Sequence, residues 1–472
     1  MSTDRARSAA RSRPTGRRAF VLPFLVVAAL LTTLGLVGAA VSTLQGPRVT
    51  AVDVDPEAAA AASGGRLIVS TSLPLAEVTA DQVSITPEVP FAVDTSGRSL
   101  GVRFGLPLRD DTEYTITIEG MTAAGGGPAT EVTETFRTPR AEVFLLQRGD
   151  GGDTVFRTDL TGDDAEAVFT HPHIEDFRAT SRHLVMSVLD DDGSAELIVT
   201  DLVGQEERSL PLPGDGFVTN LQSADRGEVV GYLYTDDDVS AEGARESRLY
   251  TASLAQGASE TPPTEIAIGG ADPRIAEWRF VPDTDSILLL SFDGQLLLTG
   301  ADGADSTALG TALSISGIAR GSSEAVVERA DGPAVIDLTD ASEEPLAQPD
   351  ADLGTVTTIT PMPDGGTIRS AAVFAEDGSP TGSTAVVRVA ADGTTSALTE
   401  IGAEDAVVQT CVSPSARYLA VLVAPGAAQN AYDDYRLPLP ERLQTRIVEI
   451  DDGSEVVSLQ GFDISWCQIP PR

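Results

Sequence analysis

Lysine is absent from this 472-residue chain: all 32 basic residues are arginine. That absence excludes a G-x-x-x-x-G-K phosphate loop, a Schiff-base enzyme with or without pyridoxal phosphate and a kinase of the usual kind. Cysteine is nearly absent too, and Cys411 and Cys467 without nearby histidine are too few for a structural zinc site. Histidine occurs only as His171, His173 and His183. No H-E-x-x-H or G-x-S-x-G is present, so zincin and serine-hydrolase chemistry lack their motifs. Positive charge is scarce, at 32 basic against 71 acidic residues, a net −39. Nucleic acid is excluded as a partner, because phosphate binding needs clustered Lys or Arg. Long amphipathic helical patterns are also missing.

What charge there is sits unevenly. Residues 1–18 carry six arginines against one aspartate, a net +5, which leaves 26 arginines against 70 acids, a net −44, in the remainder. Residues 19–41 then run for 23 positions without a charged side chain. About 20 apolar residues span a bilayer as a helix. Arginines before and acids after such a span obey the positive-inside rule. The expectation is a basic cytoplasmic tail over 1–18, a transmembrane helix over 19–41, and a single-pass cell-membrane protein with an extracellular body. A cleaved signal peptide is the rival reading, with Gly38-Ala39-Ala40 as a small-residue cleavage site.

From Arg48 onward strand-like runs alternate with Gly, Pro, Asp and Ser breaks every 8–12 residues, the spacing of a sandwich or barrel. The fold class expected is all-β. Residues 48–138 form one unit, in which Tyr114, Ile116 and Ile118 alternate with polar neighbours and so bury one sheet face. Residues 142–472 form a second unit that repeats internally. Leu184-Val185-Met186-Ser187-Val188 with its Asp-Gly turn is echoed by Ile287-Leu288-Leu289-Leu290-Ser291 with Asp293-Gly294. Pro361-Met362-Pro363-Asp364-Gly365 is echoed by Ser413-Pro414-Ser415-Ala416-Arg417. Seven repeats of about 47 residues fit the usual blade length. The first repeat lacks an inner strand, and Phe462 to Cys467 supplies a spare one that would close the ring.

The first unit resembles bacterial Ig-like domains of surface-layer proteins. The match rests on Val52-Asp53-Val54-Asp55-Pro56, on Thr112-Glu113-Tyr114-Thr115-Ile116 and on the closing Thr135-Phe136-Arg137-Thr138. The resemblance puts Tyr114 at a tyrosine corner, its hydroxyl bonding nearby backbone. The second unit resembles TolB-like and WD40-like β-propellers in its degenerate S-P-D-G repeats, without the Trp-Asp dipeptide. That resemblance implies a β-propeller of about seven blades, closed by the C-terminal strand.

Several residues invite a chemical reading. Cys411 and Cys467 each lie three residues before a proline at equivalent repeat positions in blades that neighbour at the seam. A disulfide across the seam is expected, with a pair of buried free thiols as the alternative. His171-Pro172-His173 could place two imidazoles near one metal, or lie in an inter-blade loop. The Asp-rich turns, among them Asp190-Asp191-Asp192-Gly193 and Asp451-Asp452-Gly453, look like calcium loops, but none completes the twelve-residue pattern. Asp-Gly is also the strongest short hairpin signal. Asp176, Glu277 and Asp463 stand near the starts of inner strands and could face a central channel, where some propellers place catalytic carboxylates.

The functional expectation is a non-enzymatic, membrane-tethered extracellular binding or scaffold protein. It would present its propeller on an Ig-like stalk to a protein, peptide or cell-wall ligand. No catalytic, cofactor or metal residues are assigned. The alternatives are a glycan-active enzyme with channel carboxylates and an envelope accessory factor for a membrane partner.

Overall fold

The structure is a computed structural model. It describes residues 24–33, 46–190, 192–224, 229–270, 272–303 and 306–471. The described part is built almost wholly of antiparallel strands in nine small sheets. Two of them belong to residues 49–137. A four-stranded sheet holds Val49–Val54, Arg66–Thr71, Phe91–Ser96 and Ser99–Phe104. A three-stranded sheet holds Val83–Thr86, Glu113–Met121 and Thr130–Arg137. Both contribute to one core containing Leu67, Val102, Phe104, Tyr114, Ile116 and Ile118. Tyr114 is fully buried, and its hydroxyl accepts a hydrogen bond from the Arg109 backbone N–H at 2.9 Å.

The other seven sheets are the blades of a β-propeller. Blades 2 to 7 each have four strands in simple up-and-down order, with inner strands Ile174–Ala179, Gly216–Ser223, Ile275–Phe280, Ser314–Ile318, Val356–Pro361 and Ala406–Val412. Middle strands are covered on both faces by neighbouring blades. They therefore read as unbroken apolar runs such as Ile287-Leu288-Leu289-Leu290, all buried. Blade 1 has only three strands of its own, Glu142–Gln147, Asp153–Asp159 and Glu166–His171. The C-terminal segment takes the missing inner place. Leu146 and Phe462 exchange both backbone hydrogen bonds at 3.0 Å, and the Ser465 N–H donates to the Phe144 carbonyl. The sequence leads one to expect a full strand there; the pairing is a single bridge, and the chain turns away at Asp463, whose φ is 53°.

The expected fold class requires correction in two respects. No helix among the described residues is long and apolar enough to cross a membrane. Of the span expected over 19–41, residues 24–33 are helical, while 19–23 and 34–41 lie outside the described residues, as does the basic tail 1–18. An uncharged run is a weaker helix signal than its length suggests: this one includes Gly35 and Gly38, and glycine is the poorest helix former after proline. The single-pass membrane localisation, with a cytoplasmic N-terminus and an extracellular body, rested on that span and is withdrawn. Nor is an Ig-like sandwich shown; what is shown for residues 49–137 is two small sheets around a common core.

This first unit is also no free stalk. It lies against the propeller face that carries the loops joining first to second and third to fourth strands. Arg417 of blade 7 donates to the Asp110 carbonyl at 3.0 Å and pairs with its carboxylate at 3.4 Å. Arg109 pairs with Asp451 at 3.0 Å, and Ser63 donates to Asp283 of blade 4. At Gly321 of blade 5, φ is +69° and an added Cβ would come within 2.7 Å of Leu106, so glycine permits the close approach.

Ring closure makes one prediction. Truncation after Leu459 removes the partner of Leu146 and exposes the edge of blade 1, and exposed edges pair between molecules. The truncated protein should aggregate on expression; a soluble monomer with a single cooperative thermal transition would refute closure by this segment.

Candidate functional site

The propeller channel is lined by the six inner strands, and these share one irregularity. Each carries a register shift near its start: between Ile174 and Asp176, Thr219 and Gln222, Ile275 and Glu277, Ile315 and Gly317, Val356 and Thr358, and Val407 and Gln409. A bulge adds local twist and re-aims the residues after it. Four of the residues that follow a shift reach the backbone of the next segment round the ring. Asp176 accepts from the Leu221 N–H at 3.1 Å, and Gln222 donates to the Trp278 carbonyl at 2.8 Å. Glu277 accepts from the Ile315 N–H at 2.9 Å, and Gln409 donates to the Ile469 carbonyl at 3.0 Å. In blades 2 and 4 an arginine two residues on completes the clamp. Arg178 donates to the Leu221 carbonyl at 2.7 Å and Arg279 to the Ile315 carbonyl at 3.0 Å.

The three carboxylates singled out from sequence therefore have different surroundings. Glu277 stands in blade 4, 3.7 Å from Arg279, and is spent on the clamp. Asp176 and Asp463 come together across the seam between blades 2 and 1, with Arg178 between them. Its guanidinium lies 3.2 Å from Asp176 and 2.5 Å from Asp463. All three side chains are buried. Burial pushes the Asp176 carboxyl well above the usual carboxylate range, against the pull of Arg178, and raises Asp463 as well. Neither Asp176 Oδ1 nor Asp463 Oδ1 accepts a hydrogen bond, a need that one proton shared between the carboxyls would meet. Arg178, which holds the two together, also borders the cleft between the first unit and the propeller.

Cys411 and Cys467 are joined, with Sγ–Sγ 2.01 Å and Cα–Cα 5.3 Å. Closing a loop of 56 residues stabilises by about 4 kcal/mol in the chain-entropy account. His171 and His173 point to different partners. The His171 ring stacks on Phe169 and its Nδ1 accepts from the His173 N–H at 3.2 Å. His173 stacks on Tyr435 at 4.0 Å and meets Glu175 at 2.7 Å. His183 opens the second strand of blade 2, apart from both. The Asp-rich turns use their carboxylates internally. Asp192, Asp377, Asp392 and Asp452 each accept from the N–H two residues on, at 2.9–3.0 Å; hydrogen bonds hold each carboxyl below its usual range, chiefly from the Ser379 and Ser454 side chains for Asp377 and Asp452 and from the backbone for Asp192 and Asp392. Among the described residues no three His, Cys, Asp or Glu groups converge as metal ligands.

Sequence reasoning missed a cleft of about 950 Å³ between the first unit and the propeller. Glu57, Leu108 and Asp110 line it from one side and Phe144, Arg157 and Trp466 from the other. No sequence signal marks it, because its lining comes from separate stretches of the chain, from Glu57 to Gln468. A second cavity of about 240 Å³ lies in the channel, bordered by Ile318, Thr360, Gln409 and Cys411.

No family model matches the chain, and no curated protein matches it. Solved structures with a similar course include the putative TolB from Agrobacterium tumefaciens, with 12% identity, 68% of this chain against 90% of that one, and a TM-score of 0.35. The Myceliophteria thermophila Cps50 (Swd1) β-propeller domain matches at 14% identity, 62% against 88%, with a TM-score of 0.38. An oligogalacturonate lyase in complex with manganese matches at 10% identity, 80% against 93%, with a TM-score of 0.44. The likeness is one of β-propeller fold only.

Two predictions come from the clamps. The folded Asp176–Asp463 pair keeps a proton that unfolded aspartates lose above about pH 4. Its contribution is therefore full below the unfolded pKa and declines as pH rises through the raised folded pKa. Asp463→Asn, which needs no shared proton, should show a smaller stability loss between about pH 5 and about pH 8 than the parent in urea titrations. An unchanged difference would rule out the shared proton. Glu277→Leu strips the Ile315 N–H of its acceptor and should cost about 1–3 kcal/mol in the same assay.

Proposed function

We propose that this protein is a non-catalytic binding module and that its ligand occupies the cleft between the first unit and the propeller. The observation that carries this reading is the cleft itself. Its two walls are fixed to each other by the Asp110–Arg417 and Arg109–Asp451 contacts, so its shape is set before a ligand arrives. Concave sites between two packed units are where ligands commonly bind. Tyr418 and Trp466 lie stacked and nearly buried in the floor of the cleft, with centroids 5.9 Å apart, and the rim offers charges of both signs. Such a surface suits a protein segment, a peptide or a wall-derived glycan.

The lack of catalysis is inferred from how the carboxyls are used. A glycosidase needs two carboxyls about 5–10 Å apart with the substrate between them. Asp176 and Asp463 instead both face Arg178, and Glu277 bonds backbone in another blade.

The test is to titrate the protein with a panel of wall glycan fragments and short peptides. Tryptophan emission reads binding, and chromatography of the same samples reads cleavage. Binding by at least one member should be saturable, should weaken about tenfold or more in Trp466→Ala, and should leave the ligand intact. Turnover of any member would overturn the non-catalytic reading. Binding indifferent to Trp466 would overturn the cleft as its place.

A further inference from the structure

We infer that the C-terminal residues 466–471 are a plug in the propeller channel, latched by the Cys411–Cys467 disulfide, and that thiol reduction releases the plug and joins the cleft to the channel cavity. Trp466 and Gln468 border both the cleft of about 950 Å³ and the cavity of about 240 Å³, so they form the partition between the two. Cys467 borders the cleft and Cys411 the cavity; the disulfide thus ties the partition to the inner strand of blade 7.

The closing segment is held in two different ways along its length. Phe462 to Ser465 are built into the ring by the Leu146–Phe462 bridge, the Ser465 bond to Phe144 and the Asp463–Arg178 pair. Residues 466–471 form no strand. Besides the disulfide, their ties to the ring include the Tyr418 stack, Arg320 to the Trp466 carbonyl at 3.3 Å and Gln409 to the Ile469 carbonyl at 3.0 Å. The covalent link therefore falls on a part that few hydrogen bonds hold, where Trp466 and Cys467 are otherwise kept in place by apolar packing. Cutting it would free the plug while the seam at 462–465 persists.

The chemistry is thiol–disulfide exchange with a small dithiol entering from the cleft. One thiolate attacks Cys467 Sγ, the Sγ–Sγ bond breaks and Cys411 leaves as thiolate, taking up a proton. The second thiol of the reductant then attacks the mixed disulfide and expels Cys467 as a thiol. Two electrons and two protons pass from the dithiol, which ends as its cyclic disulfide.

The experiment uses the full chain with dithiothreitol as the dithiol, under native conditions, with alkylation and mass analysis to confirm two free thiols. Trp466 and Trp278 are the only tryptophans, and Trp278 is fully buried, so acrylamide quenching reports on Trp466 against an internal reference. Reduction should raise the quenching constant of one tryptophan severalfold. It should also accelerate amide exchange over 466–471 while 462–465 stay protected. The Cys411→Ser, Cys467→Ser double variant should show the same state without reductant. Unchanged quenching and exchange after confirmed reduction would overturn the latch. So would failure of dithiothreitol to reach the native disulfide, or loss of protection across 462–465 together with blade 1.

Discussion

The ring depends on a repeated contact between neighbouring inner strands. A register shift early in each strand re-aims the residues after it, and a polar side chain there bonds the backbone of the next segment round the ring. Asp176, Gln222, Glu277 and Gln409 all do this. Inner strands converge on a narrow channel where backbone groups have no fourth neighbour to pair with. An unpaired buried N–H or carbonyl costs free energy comparable to a lost hydrogen bond. The clamps satisfy those groups and fix the angular offset from blade to blade in the same step. Where blade 5 has Gly317 instead, φ is +157° and an added Cβ would lie 3.1 Å from Pro361 Cδ, so close packing replaces the polar bond.

The seam follows the same rule with different parts. The last residues of the chain stand in for the inner strand that blade 1 lacks, and Asp463 meets Arg178 of blade 2 much as a clamp residue meets its neighbour. Two buried carboxyls around one guanidinium leave an excess negative charge that burial disfavours, and a retained proton removes it. Elsewhere the large acidic excess is kept in water, in turns whose aspartates bond their own backbone. Part of the acidity in this protein is therefore turn chemistry, and a small buried share organises the channel.

Much of the fold is legible in the sequence because period and punctuation are local properties. Ile287 to Leu290 must be covered on both faces, and Asp293-Gly294 must turn. The equivalence of Cys411 and Cys467 is readable from their common offset to a proline. Other signals misled for physical reasons. A charge-free run over 19–41 satisfies a length rule, but length and lack of charge do not establish a membrane-crossing helix. Asp176, Glu277 and Asp463 are correctly placed at inner strands, yet position does not say whether a carboxylate is open to a substrate or tied to an N–H of the next blade.

The sequence by itself determined an all-β chain, the blade period and the chemistries barred by missing lysine and scarce cysteine and histidine. These are set by residue type and short-range spacing. Only the tertiary structure decided that the first unit packs on the propeller face and encloses a cleft. It alone decided that two aspartates from distant stretches of the chain meet over one arginine, and that Trp466 and Gln468 stand between the cleft and the channel cavity. Those features join residues hundreds of positions apart, and their energies depend on burial and mutual orientation, which no local pattern encodes.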